Sequence, residues 1–209
     1  MTPQEYFLNV EKAIVNANIA YWITLKPETM DDNLRRWLFA FLSIHTTWRS
    51  NVKGYNAVKN LSWINNKNIL REALKISGVG LHNNRTNYIW DFKNKFQSDP
   101  TFYYKSEEES WTEYRNRLTL DIKGLGYAKT SFGVFLNYPE SDVVCLDVHL
   151  LRALGANTKT YSNKLTYESY EDKWKNICNN KYPGILREIY WNHLQGERDS
   201  IYWSECFHK

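Results

Sequence analysis

Residues 122–130, Ile122-Lys123-Gly124-Leu125-Gly126-Tyr127-Ala128-Lys129-Thr130, decide the reading of this chain, together with Cys145-Leu146-Asp147-Val148-His149 downstream. Upstream of the first stretch, Ser106-Glu107-Glu108-Glu109 has the form of a capping box and predicts a helix of roughly 108–119. Gly124 and Gly126 permit a tight turn whose backbone N–H groups no side chain shields. From Tyr127 to Leu136 the apolar spacing predicts a second helix. Helix, two-glycine hairpin, helix is a shape that holds a phosphate, because the hairpin amides and the positive end of the second helix point at one anion. Such a contact positions a duplex and reads no base sequence.

These segments resemble the helix-hairpin-helix DNA glycosylases, the superfamily of endonuclease III, the mismatch adenine glycosylase and the 8-oxoguanine glycosylases. The usual Leu-Pro-Gly-Val-Gly hairpin reads Ile122-Lys123-Gly124-Leu125-Gly126 here, and a Val-Asp-Thr-His-like run reads Leu146-Asp147-Val148-His149. The resemblance covers about residues 34–155. It implies an all-α, two-lobed fold with a cleft between helical lobes: one lobe of about 31–137, and a second of 1–30 with 138–209 carrying the aspartate. It also implies base excision from double-stranded DNA. Asp147 is the implied catalytic carboxylate, stabilising positive charge that builds on the sugar as the glycosidic bond breaks. Asp is equally a favoured helix N-cap, and both roles suit one residue.

Bifunctional members carry a lysine after the hairpin whose amine attacks C1′ and leads on to strand cleavage. Counted from the hairpin, the family's lysine falls on Ala128; counted 18 residues back from Asp147, it falls on Lys129. One helical position rotates a side chain by about 100°, so the register decides the mechanism, and the sequence leaves lyase activity open. Lys123, Gly124, Leu125, Gly126 and Ala128 are implied DNA-backbone contacts. His45, in Leu42-Ser43-Ile44-His45-Thr46-Thr47, and Leu81, in Gly78-Val79-Gly80-Leu81-His82-Asn83, stand where the family inserts side chains into the duplex. His149 is expected to orient the local backbone or meet a phosphate. Two other readings share these motifs: a glycosylase-fold enzyme of phage type acting in base hypermodification, and a non-catalytic helix-hairpin-helix DNA-binding module.

The chain of 209 residues is 43% hydrophobic and 16% aromatic, enough for one core or two small lobes and too apolar for a disordered chain. Its net charge is only +4, but Arg49 to Lys95 holds nine basic residues against Glu72 and Asp91, a stripe suited to phosphates. Cys145, Cys178 and Cys206 lack metal-ligand spacing, so neither zinc nor the iron–sulfur cluster of endonuclease III relatives is expected, nor any other cofactor. Packed free thiols in a reducing interior are expected instead. The sequence shows no signal peptide and no apolar run of membrane length, and the protein is expected to act as a cytoplasmic monomer.

Thr2-Pro3-Gln4-Glu5 predicts a helix start, with Tyr6, Val10, Ala13, Ile14 and Ala17 as one apolar stripe. Asp31-Asp32-Asn33 is the expected cap of the next helix, which buries Leu34, Trp37, Leu38, Phe41 and Leu42. Helices are further predicted over 51–60, 68–76, 148–154, 167–179 and 183–194, followed by an aromatic tail over 201–207.

Overall fold

The computed structural model describes residues 1–156, 163–196, 203, 206 and 207. The described residues form eleven α-helices, one 3-10 helix and no strand. In chain order these are α1 Pro3–Asn9, α2 Lys12–Thr24, α3 Met30–Leu42, α4 Trp48–Val58, α5 Lys67–Ser77 and α6 His82–Ser98. A 3-10 turn, Pro100–Tyr103, precedes α7 Trp111–Asp121, α8 Tyr127–Asn137, α9 Val148–Ala153, α10 Lys164–Ile177 and α11 Pro183–Leu194.

The chain divides into two compact units, Pro27–Leu125 and the pair Met1–Lys26 with Gly126–Lys209. The division falls inside the hairpin. Helix α8 therefore groups with the residues that follow it, whereas the sequence reading places it in the lobe of 31–137.

The unit of 27–125 is built on α3, whose residues from Trp37 to Leu42 are all buried against α4 and α6. Thr29, not the expected Asp31-Asp32-Asn33 run, caps α3; its hydroxyl and the Asp32 carboxylate at the third helical position close a capping box. Asn66 caps α5 and Gly78 ends it in the left-handed region. Helix α7 starts later than expected. Ser110 and Glu113 form its capping box, while Ser106 and Glu109 make only a local turn in which the Ser106 amide donates to Glu109 at 2.9 Å. Both pairs fit the pattern; the second wins because it immediately precedes the run that buries Tyr114, Arg115 and Leu118.

In the other unit, the predicted single N-terminal stripe is broken at Val10, which is extended. Tyr6 and Phe7 pack on Tyr190 and Trp174, whereas α2 buries Trp22 against Phe135 and Trp203. One straight helix cannot serve both contacts, so the chain turns between them. Gly184 lets α11 approach α8 closely, since a Cβ there would lie 2.5 Å from the Phe135 ring. Of the predicted tail, only Trp203, Cys206 and Phe207 lie within the described residues; Trp203 and Cys206 are buried. All three cysteines are buried, and none forms a disulfide among the described residues. No helix among the described residues is long and apolar enough to cross a membrane.

Candidate active site

The segment Val143 to Leu146 is buried and belongs to no regular element, so its backbone polar groups need partners from elsewhere. Helices α10 and α11 supply them. Glu171 accepts the Val144 amide at 2.7 Å; the Tyr167 hydroxyl donates to the Val144 carbonyl at 2.6 Å and accepts the Leu146 amide at 3.0 Å. Arg187 Nε donates to the Cys145 carbonyl at 2.9 Å. This strapping delivers Asp147 in a fixed orientation at the N-cap of α9.

Four donors surround the Asp147 carboxylate. Oδ1 accepts the amides of His149 and Leu150 at 2.9 and 3.0 Å. Oδ2 accepts Arg187 Nη2 and Trp191 Nε1, each at 2.7 Å. A carboxylate offers about four lone-pair positions, so this one is saturated. Burial pushes the carboxyl up, but Arg187, the Leu150 amide, Lys129 and Trp191 outweigh it and hold Asp147 below the usual carboxylate range. Arg187 is itself buried and also donates to Glu188 at 2.5 Å. Burial holds the Glu188 carboxyl above its ordinary value even beside Arg187.

Lys129 is the third residue of α8. Its ammonium is near enough to lower the Asp147, Cys145 and Glu188 groups electrostatically. Among the described residues it forms no ion pair, and it lies 5.5 Å from the centroid of the Phe132 ring. Of the two candidate positions, Lys129 carries a charge that acts on Asp147, while Ala128 is half-buried and neutral.

The hairpin glycines differ. Gly124 has φ +88°, and a Cβ there would lie 2.5 Å from the Tyr88 ring, so only glycine fits. Gly126 has an ordinary extended backbone with open space around it. It is the N-cap of α8 and supplies no side-chain cap, so the positive end of that helix is not covered by a capping side chain. Leu125 is buried, so its side chain anchors the hairpin. The Lys123 side chain is 71% exposed, 3.9 Å from Asp91. Asp121, at the end of α7, is fixed by Lys95 at 2.8 Å and Tyr103 at 2.6 Å.

His45 and Leu81 lie in the unit of 27–125. Both are exposed and both adopt left-handed backbone conformations, φ 45° and 46°, which residues with a Cβ seldom take. The His149 side chain is exposed and its amide serves Asp147. Within the basic stripe, Arg49, Lys53, Lys67, Arg71 and Lys75 are exposed, whereas Arg85 and Lys93 are buried and do not belong to it. No cluster of three potential metal ligands occurs among the described residues.

The sequence reading missed Arg187, Glu188, Trp191 and Arg85. One signal for the first three was present: Arg187-Glu188 inside the apolar run Gly184-Ile185-Leu186 to Ile189-Tyr190 places charge on a helix that is buried on most sides, and buried charge demands a partner.

A two-glycine hairpin entering a helix, followed by an aspartate that caps the next helix, on an all-helical fold, defines a helix-hairpin-helix DNA glycosylase. Residues 24–182 match the Ogg-HhH family, 8-oxoguanine DNA glycosylase, and the chain belongs to that family. It is a DNA glycosylase of base excision repair. The fold is similar to that of the 8-oxoguanine DNA glycosylase of Methanocaldococcus jannaschii, with a TM-score of 0.73 at 20% identity, covering 93% of this chain and 92% of that one. A second structure from that organism, an 8-oxoguanine glycosylase/lyase in complex with a 15mer DNA containing 8-oxoguanine, gives 0.70 at 22% identity over 93% and 96%. The 8-oxoguanine DNA glycosylase of Thermotoga maritima gives 0.68 at 18% over 90% and 92%. No curated protein matches the chain.

Proposed function

We propose that this glycosylase removes 8-oxoguanine from double-stranded DNA and then cleaves the strand, with Lys129 as nucleophile and Asp147 as a fixed negative charge. The observation that carries this reading is the saturation of Asp147 by four donors, with the charge of Lys129 also acting on it. A carboxylate already accepting four hydrogen bonds has no free lone pair with which to take a proton from water. Its charge still stabilises the sugar as positive character builds at C1′. The nucleophile then has to come from another group, and the Lys129 amine in its unprotonated form is within electrostatic reach. Its nitrogen forms a bond to C1′ as the bond to the base breaks, the bonding pair leaving with the base. Ring opening gives a Schiff base, and elimination cuts the strand.

Phosphates would be held at the N-terminus of α8, by Lys123 and by the exposed arginines and lysines between Arg49 and Lys75. His45 and Leu81 would enter the duplex as the target nucleotide leaves it. The substrate assignment rests on the family and on the names of the structural relatives. The protein is taken to act as a monomer inside the cell.

The test is incubation with duplexes bearing one 8-oxoguanine or one other damaged or mismatched base, with and without borohydride. The expected result is excision at 8-oxoguanine and a trapped protein–DNA adduct that Lys129→Gln abolishes. Excision with no adduct would overturn the lysine mechanism; selective excision of another base would overturn the substrate.

A further inference from the structure

We propose that Arg85 is a positioning residue that fixes the spacing between His45 and Leu81. The proposal rests on the reading of those two side chains as duplex-entering wedges. Arg85 opens onto both loops at once: Nη2 donates to the carbonyl of Ile44, immediately before His45, and Nη1 donates to the carbonyl of Val79 at 3.2 Å, two residues before Leu81. Its backbone amide donates to the Leu81 carbonyl at 2.9 Å. The residue is only 2% exposed and among the described residues faces no carboxylate, so a buried cation is spent on two neutral carbonyls that lie far apart in sequence.

The second loop is seated from its other side as well. Val79 is buried where Gly54 lacks a side chain, and a Cβ at Gly54 would come within 2.8 Å of Val79 Cγ2. Gly78 and Gly80 take positive φ, which glycine permits, and Leu81 takes it too, a conformation that a residue with a Cβ keeps only where surrounding contacts impose it. A planar guanidinium holds two acceptors at one separation through its rigid fork; an ammonium cannot. The spacing matters because successive bases along one strand stand about 3.4 Å apart. A wedge displaced by a fraction of that step no longer fills the gap it must occupy, and the cost of unstacking is no longer offset.

The experiment uses Arg85→Lys and Gly54→Ala, the second displacing Val79 without touching Arg85. Both run beside His45→Ala and Leu81→Ala. Single-turnover excision is measured on an 8-oxoguanine paired in duplex and on the same lesion facing a one-nucleotide gap. Fluorescence of a 2-aminopurine placed next to the lesion reports unstacking independently of the chemistry. The expected result for Arg85→Lys is a loss of about tenfold or more on the paired substrate, less than about twofold on the gapped one, and a weaker 2-aminopurine signal. Gly54→Ala should repeat this pattern, and decides the matter if Arg85→Lys does not fold. In a His45→Ala, Leu81→Ala background, Arg85→Lys should add nothing to the paired-substrate loss. Equal losses on both substrates for the two wedge variants would defeat the wedge reading and the spacing role with it. Selective losses there with none for Arg85→Lys or Gly54→Ala would defeat the spacing role alone.

Discussion

Arg187 and Arg85 are both buried, each fastens a different part of the proposed site, and they are desolvated in opposite ways. Around Arg187 the charge is met by charge: Asp147 and Glu188 sit at hydrogen-bond distance, and the Cys145 carbonyl takes the third donor. Burial works against the guanidinium, yet those carboxylates hold its pKa above the usual value. Around Arg85 only carbonyls are present, Nε–H finds no acceptor, and burial leaves the guanidinium below its usual value. The ion pair fixes one carboxylate very firmly. The carbonyl pair holds two loops at a separation but at a lower energetic stake, which suits loops that must meet a deformable duplex.

The largest expected effect separates the two arginines. Arg187→Met leaves Asp147 without its cation and should destabilise the fold by about 3–5 kcal/mol. Arg85→Met breaks no ion pair and leaves two neutral carbonyls without their donor, at a cost of about 1–3 kcal/mol. For a chain of this size each kcal/mol moves the melting temperature by about 2–4 °C. Thermal melts should therefore show a drop of roughly 10 °C or more for the first and a few degrees for the second. Equal drops would break the comparison, because counter-charge would then make no difference.

Next comes the carboxylate. Asp147→Asn should slow excision by on the order of 10²–10³-fold, the scale of losing one electrostatic stabiliser in an active site. The amide also has to turn an N–H towards either the α9 amides or the pair Arg187 and Trp191, so donor faces donor. A fall in melting temperature of several degrees should accompany the loss of rate. A variant that melts like the parent would show that the four-donor cage is not what holds Asp147.

Much of this was readable in the sequence, and the parts that were not share a cause. Helix α11 was readable to its ends, because Pro183 starts it and apolar residues recur along it to Leu194. The hairpin and Asp147 were readable because glycine and an N-capping acid carry local backbone meaning. Contacts reaching across the chain were not. Arg187 meets Asp147 forty positions away, and Arg85 meets Ile44 at a separation of 41. Nothing local in Asn84-Arg85-Thr86 distinguishes Arg85 from an exposed basic residue, and counting it in the basic stripe was the natural mistake. The left-handed backbone of Leu81 was equally hidden, since a leucine does not signal it. The ambiguity between Ala128 and Lys129 was one of register alone, and only the lysine carries a charge that acts on Asp147.

The hairpin supplies a finer contrast between two glycines. Gly124→Ala meets both a positive φ and the Tyr88 ring, and should cost about 1–2 kcal/mol of stability. Gly126→Ala meets nothing in the protein and should melt within about 0.5 kcal/mol of the parent. Its effect should appear on DNA: weaker binding to every duplex alike and a salt-dependence slope shallower by about 0.9, the share of one phosphate. A sequence-selective loss would mean that the hairpin reads bases.

The smallest expected effect concerns Trp191, which gives Asp147 one hydrogen bond without charge. Because the folded-state pKa of Asp147 is depressed, the stability it contributes is complete above the unfolded value of about 3.9 and is lost as pH falls through the folded value. The acid limb of excision attributable to this carboxylate should accordingly lie below the ordinary carboxylate range. Trp191→Phe keeps the ring and removes the donor, worth about 1 kcal/mol. At 1.36 kcal/mol per unit, the acid limb should move up by somewhat less than one pH unit, with the neutral-pH rate little changed because Asp147 stays ionised there. Arg187 stands ahead of Trp191 among the groups lowering the carboxyl through its charge, so Arg187→Gln, which removes that charge, should, if folded, shift the limb no less than Trp191→Phe does. An acid limb unmoved by Trp191→Phe would remove the indole from the set of groups that keep Asp147 charged, and would leave the ion pair to Arg187 as its principal support.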